Sequence, residues 1–221
     1  MPIVGVAEAA AELGVSPRRV RQMLGDGVLA GEHVGRAWVI DSRQLQNFEN
    51  RRVGVGRPWS PAAAWAVLSL ADGEQVDISP VQRSRARKRL ADGLDGAVGR
   101  LGVRAQRRGF YAHPGVLGQL GEAPEAVRSG MSAVVEHGVD LVVGDGFEGY
   151  VRAGDVDEVV SRFGLDDQAA RPNMLLRVVS DAAWPFRPGQ RWAGRAVVAV
   201  DLIESNEPRA RRAGAELIGQ L

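Results

Sequence analysis

The chain has 221 residues, 45% of them hydrophobic and 25% charged, ordinary proportions for a folded protein with room for one large or several small domains. It has no cysteine, which excludes disulfides, thiolate metal sites and thiol nucleophiles. The net charge of +1 is unevenly spread: residues 1–57 carry +2, residues 58–120 carry +4 and residues 121–221 carry −5, so the basic half points to nucleic acid and the acidic half to something else. No run approaches the roughly 20 apolar residues of a membrane span. The first residues, Met1-Pro2-Ile3-Val4-Gly5, lack the basic-then-apolar pattern of a signal peptide. A cytoplasmic protein with no membrane partner is expected.

In chain order, the first predicted helix covers Val6–Leu13 and ends at Gly14, a residue that tolerates the left-handed conformation of a helix end. Ser16 is placed to cap a second helix, with Pro17 in its first turn, where a backbone N–H has no partner in any case. Val20, Met23 and Leu24 share one face of this helix, which leaves Arg18, Arg19 and Gln22 outward, and Arg21 is carried on the same helix. Gly25-Asp26-Gly27 ends the helix. Val28–Val34 and Ala37–Ile40 read as two short strands with Gly35-Arg36 at the tip between them, and Ser42 caps a third helix to about Phe48. Two helices about a tight turn, followed by a two-stranded wing and a third helix, make a winged helix-turn-helix. Arginine can grip a guanine edge and glutamine an adenine edge, and either can hold phosphate, so double-stranded DNA is the expected partner of Ser16, Arg18, Arg19, Arg21, Gln22 and Arg36. Trp38 reads as a packing residue of the wing. The competing reading is a solvated helix face on a protein-binding module.

Ala10, Ala11, Leu13, Gly14, Val15, Ser16, Val20, Arg21, Leu24, Gly27, Leu29, Gly35, Arg36, Trp38 and Ile40 fall in one register with the motif of the excisionase-type, MerR-related DNA-binding domain, which residues 1–50 therefore resemble.

Residues 51–59 read as a linker. In residues 60–120, Ser60-Pro61 opens a helix over Ala62–Leu70, and Ser79-Pro80 opens another over Val81–Leu90. The latter carries five cations within seven residues, including Arg83, Arg85, Arg87 and Lys88, the only lysine in the chain. Gly102–Ala112 reads as one or two strands bearing Arg104, Arg107 and Arg108. Together these suggest a second, winged-helix-like basic unit on DNA, the alternative being a solvated arginine face.

Residues 121–221 read as a mixed α/β domain, so the whole chain is of α/β (α+β) class. Helices are predicted at Ser132–His137, from Asp155 to Phe163, and from Glu207-Pro208 onward with Ala210, Ala213, Leu217 and Leu221 buried. Strands are predicted at Val139–Val143, around Tyr150–Arg152, at Met174–Val179 and at Ala196–Val200. The stretch Ser129–Gly138 and the run from Val198 to Ser205 with Pro208-Arg209 are similar to corresponding stretches of abortive-infection AbiE-type antitoxins, with Glu207 where aspartate is usual. That resemblance implies an N-terminal winged helix joined to a C-terminal antitoxin domain, repression of the protein's own operon, and a cognate toxin of nucleotidyltransferase type.

No enzyme is legible. Lys88 lacks the glycines of a phosphate-binding loop, and His33, His113 and His137 are too scattered to spell out a metal site. Asp155, Asp157 and Glu158 fit the first turn of a helix. Asp201, after the expected strand, reads as a cap. No cofactor is implied. The expectation is a transcriptional regulator of antitoxin type, paired with DNA and a toxin. A homodimer or the second basic unit would supply affinity that one small module lacks. Two alternatives stand beside it. One is an excisionase-like architectural protein. The other is a one-component sensor whose ligand pocket is lined by Trp184, Phe186 and Trp192, residues that equally suit a packed loop.

Overall fold

The computed structural model describes residues 3–25, 29, 31–35, 37–42, 45, 57–169, 171–205 and 207–221. It is of mixed α/β class and divides into two compact units, residues 1–56 and 57–221.

In the first unit, β1 (Ile3–Gly5) leads into α1 (Val6–Glu12), where Glu8 reaches back to accept the Gly5 N–H at 2.9 Å. Gly14 takes a left-handed φ of +62°, and the N–H of Val15 bonds the carbonyl of Ala10, closing the helix end. Helix α2 (Pro17–Gly25) follows at once, with Ser16 Oγ accepting the Arg19 N–H at 3.2 Å. Strands β2 (Glu32–Val34) and β3 (Ala37–Asp41) form a hairpin, and β1 pairs antiparallel with β3 on its other side. β1 was not expected. Three residues carry little local strand signal, and the strand exists through its pairing with a segment about 35 residues away. Ala9, Ala10, Val20, Met23, Leu24, Leu29, Ile40 and Leu45 form the buried core, with Trp38 packed at its margin and against the His33 ring. Asp26, Gly27, Val28, Arg36 and Phe48, and with them the expected end of α2, part of the hairpin tip and the end of the third helix, lie outside the described residues, as do residues 51–56 of the expected linker.

The second unit crosses the boundary expected at residue 120. Helices α3 (Pro61–Ala71), α4 (Pro80–Ala91) and α5 (Val98–Leu101) precede β4 (Gln106–Phe110), which pairs antiparallel with β7 (Met174–Val179). β7 pairs parallel with β6 (Phe147–Arg152), and β6 pairs antiparallel with β5 (Val127–Arg128), giving the sheet order β4-β7-β6-β5. Residues 60–120 and 121–221 thus share one sheet and both of the cores that flank it, and are not separate domains. Trp59, within the expected linker of residues 51–59, belongs to the core that holds Trp65 and Tyr150.

Period-two alternation along the strands gives the sheet two faces. Phe110, Phe147, Val151, Met174 and Leu176 face one core with α6 (Pro114–Glu122) and α7 (Val156–Phe163). Tyr150 and Val179 face the other, with α3, α8 (Arg195–Ile203) and α9 (Pro208–Ile218). The strand expected at Ala196–Val200 is therefore the first half of a helix. α8 is buried over every residue from Ala196 to Leu202, so it lacks the amphipathic period that separates helix from strand in a short apolar run. It crosses α9 at Gly214, where a β-carbon would stand 2.5 Å from the carbonyl oxygen of Ala199. Asp72 caps α8 from another part of the chain, accepting the Ala196 N–H at 2.6 Å.

Four further expectations fail. Ser132–His137 forms a 3₁₀ turn at Gly130–Ala133 and then turns, not an α-helix. Val139–Val143 pairs with no strand among the described residues. Gly102–Arg104 is a 3₁₀ turn ahead of β4, and the terminal Leu221 is 48% exposed.

Candidate nucleic-acid interface and buried charge network

On α2, Val20, Met23 and Leu24 are buried while Ser16, Arg18, Arg19, Arg21 and Gln22 are all exposed. Arg19 Nη1 donates to Gln22 Oε1 at 2.8 Å, so these two side chains, one turn apart, are already oriented by each other. Three arginine charges on nine residues have no carboxylate ion pair among the described residues. That face offers a polyanion uncompensated charge at little desolvation cost. Arg36, expected beside them, lies outside the described residues.

On α4 the five cations split. Arg83 is half-buried and donates to the Val76 carbonyl at 2.8 Å, and Arg89 lies over the Trp59 ring at 4.8 Å. Arg85, Arg87 and Lys88 are exposed. Turning two arginines toward the protein relieves the repulsion that a run of five would suffer on one surface. Arg83, Arg85, Arg87 and Lys88 belong to the second unit, whereas Ser16, Arg18, Arg19, Arg21 and Gln22 belong to the first.

Of the arginines expected on a basic strand, Arg107 is exposed on β4 and Arg108 is half-buried, 3.4 Å from Asp167. Arg104 is not on the surface. It is fully enclosed in a charge network on the α8 side of the sheet, the most polar feature of the core. Its guanidinium grips Glu204 with both terminal nitrogens at 2.7 and 2.9 Å, donates to Tyr150 Oη at 3.1 Å, and pairs with Asp201. Asp201 also receives Tyr150 Oη at 2.8 Å and Ser129 Oγ, and stands 3.1 Å from Arg177 Nε. Arg177 in turn lies 3.4 Å from Glu148. The sheet register explains the demand for carboxylates: Arg177 on β7 sits between Tyr150 of β6 and Arg107 of β4, so two cations occupy neighbouring strands. Burial alone would lower the affinity of Arg104 for its proton, but the adjacent Glu204, Tyr150 and Asp201 raise it well above the ordinary value. Arg177 is raised in the same way, chiefly by Asp201. Burial raises the Glu204 carboxyl, but the Arg104 charge and hydrogen bonds overcome this and hold it below the usual range. Asp201 is therefore neither a helix cap nor a strand-end group. It is the anionic hub of a closed network in which each charge meets its opposite.

The same network joins the Ser129–Gly138 stretch to the run from Val198 to Ser205. Ser129 bonds Asp201, and Ser132 Oγ accepts the Glu148 N–H at 2.9 Å. Gly130, at φ +51°, lets the Glu148 carboxylate pass where a side chain would stand. His137 bonds the Ala193 carbonyl at 2.9 Å, and His113 caps α6 by accepting the Gly115 N–H at 3.1 Å. Asp157 and Glu158 occupy the first turn of α7. Among the described residues no cluster of three or more His, Cys, Asp or Glu could hold a metal, and no helix is long and apolar enough to cross a membrane. Phe186 packs among Trp65, Tyr150 and Trp184 at centroid distances of 5.0–5.5 Å, and so belongs to the core. Trp192 is exposed, with Arg128 and Arg191 each 5.8 Å from its ring. Sequence reasoning missed Arg104, Glu148, Tyr150, Arg177 and Glu204 as partners. The available signal was Asp201 itself, a carboxylate inside the apolar run Ala196–Ile203, which can be buried only with compensation.

Compared with known protein families, curated proteins and solved structures, the chain matches none.

Proposed function

We propose that the chain is a DNA-binding transcriptional regulator whose first unit is a winged helix-turn-helix. The observation that carries this reading is the cap-bonded α2, buried on one side and bearing exposed Arg18, Arg19 and Arg21 with Gln22 on the other, immediately after the Gly14–Ser16 turn. In this reading α2 enters the major groove, Arg36 holds phosphate or enters a minor groove, and Arg85, Arg87 and Lys88 on α4 add phosphate contacts. Arg83, held at the Val76 carbonyl, adds its charge to α4. A nine-residue helix reads few base pairs, so a homodimer or α4 supplies the remaining affinity.

The biological role we assign is that of an autorepressing antitoxin that works in the cytoplasm and opposes a nucleotidyltransferase-like toxin. It is supported by the resemblance of Ser129–Gly138 and Val198–Arg209, together with the convergence of those two stretches on Asp201. The test of DNA binding is a gel shift with the protein's own promoter region. Arg18→Ala combined with Arg19→Ala should weaken binding by at least about tenfold at physiological salt, as expected for two charge contacts worth roughly 1 kcal/mol each. Unchanged affinity would refute the assignment. Co-expression with the product of the neighbouring gene, scored for rescue of growth, tests the antitoxin role separately.

A further inference from the structure

The segment Val139-Asp140-Leu141-Val142-Val143 has the composition of a strand and the alternation of one, yet among the described residues no strand accompanies it. Val139 and Leu141 are half-buried against the core of the second unit, while Asp140 and Val142 face outward. Val142 is 91% exposed, Val143 40%, and Val135, just before the segment, 79%. Among the described residues no hydrogen bond reaches the backbone N–H of Asp140, Val142 or Val143, or the carbonyls of Asp140, Leu141 and Val142. Gly138, at φ +68°, and Gly144 bracket the run. A β-branched sequence with its backbone left to water and its valines exposed is a local conflict of a kind that a soluble fold resolves at an interface.

The charge around it selects the partner. From Ser129 to Val151 the chain has no lysine or arginine, but it has Glu136, Asp140, Asp145 and Glu148, the first three exposed. A polyanion is excluded from such a surface. A second copy offering the same segment would set carboxylates against carboxylates across the pair. We infer that Val139–Val143 is a docking strand for a protein partner that pairs with it through an extended segment carrying arginine or lysine beside small apolar residues. Main-chain bonds would supply the affinity, and contacts to Val142, Asp140 and Asp145 the selectivity. This inference does not depend on the antitoxin reading, since it requires a cationic strand whichever protein provides it.

The test uses the full chain as bait and a phage-displayed library of random dodecapeptides as probe, with the Val142→Lys variant as counter-bait. Val142 is so exposed that the variant should keep the wild-type melting temperature. Enriched peptides should alternate apolar residues with arginine or lysine. They should bind Val142→Lys at least about tenfold more weakly, and wild type more weakly at 200 mM than at 50 mM salt. They should also protect the amides of residues 140–143 from hydrogen exchange. The inference is overturned if no peptide is enriched, if the enriched peptides are acidic or bind both baits equally, or if protection falls elsewhere. It is overturned equally if sedimentation shows that the wild type associates with itself through Val142 and the variant does not.

Discussion

Asp201→Asn should be among the most damaging isosteric changes this chain can suffer. The carboxylate is fully buried, and two buried guanidiniums, Arg104 and Arg177, converge on it together with Tyr150 Oη and Ser129 Oγ. Asparagine keeps the shape and one acceptor but removes the charge. Arg104 retains Glu204, whereas Arg177 is left with Glu148 at 3.4 Å and a carbonyl contact to residue 201 at 3.5 Å. Leaving a buried cation short of its counter-charge costs about 3–5 kcal/mol, a large share of the roughly 5–15 kcal/mol that separates folded from unfolded domains. At about 2–4 °C per kcal/mol for a unit of this size, the melting temperature should fall by roughly 6–20 °C. Urea unfolding followed by tryptophan fluorescence should report the loss directly, because Trp65 packs edge-on against Tyr150 at 5.3 Å. Arg104→Met alone should cost a similar amount. Combining it with Asp201→Asn should cost less than the two together, since each single change strands the other's partner. A loss under about 1 kcal/mol, or simple additivity, would show that the network is solvated and not closed.

Asp72, which caps α8, titrates in the opposite sense to a paired surface carboxylate. Burial outweighs the hydrogen bonds from the Ala196 and Val197 N–H groups and raises its pKa from 3.8 to about 6. The folded state therefore holds this proton more tightly than the unfolded chain, so the stabilising contribution is full below pH 3.8 and is lost as pH rises through about 6. Asp72→Asn, which mimics the protonated form, should be more stable than wild type at pH 7 by up to about 3 kcal/mol and no different near pH 3.5 in matched thermal melts. On α4, replacing Arg85, Arg87 and Lys88 together by glutamine should flatten the salt dependence of DNA binding, by at most about 0.9 in log–log slope for each phosphate that is no longer neutralised. An unchanged slope would remove α4 from the interface.

What the sequence made legible is what short-range chemistry encodes. The Ser-Pro pairs at residues 60–61 and 79–80 begin α3 and α4, and Ser79 and Gln82 exchange the reciprocal cap bonds such a start implies. The Gly14–Ser16 turn and the buried stripe of α2 follow from the same local rules. What was not legible depends on distant partners. Arg104 lies 97 and 100 residues from Asp201 and Glu204, and nothing in its neighbourhood distinguishes it from the exposed arginines nearby. The boundary at residue 120 failed for the same reason, because β4 is a strand by virtue of β7, more than 60 residues on. α8 reads as a strand in sequence because burial on all sides erases the pattern by which a helix is recognised.

Formal charge identifies a nucleic-acid partner only once the charges already satisfied within the protein are set aside. The +4 of residues 58–120 counts Arg104, whose charge is cancelled within the core by Glu204 and Asp201. It also counts Arg83 and Arg89, both turned toward the protein, and Arg108, which faces Asp167. The cations left open to a polyanion on α4 are Arg85, Arg87 and Lys88. On α2 none of the three arginines is discounted in this way: each is exposed, without an ion pair among the described residues, and on a helix whose opposite side is already committed to the core. Counter-ion release rewards charges that are free before binding, so a compact set of unpaired arginines contributes more to DNA affinity than a larger total that is mostly satisfied at home. The smaller formal charge of the first unit is therefore the stronger argument for DNA.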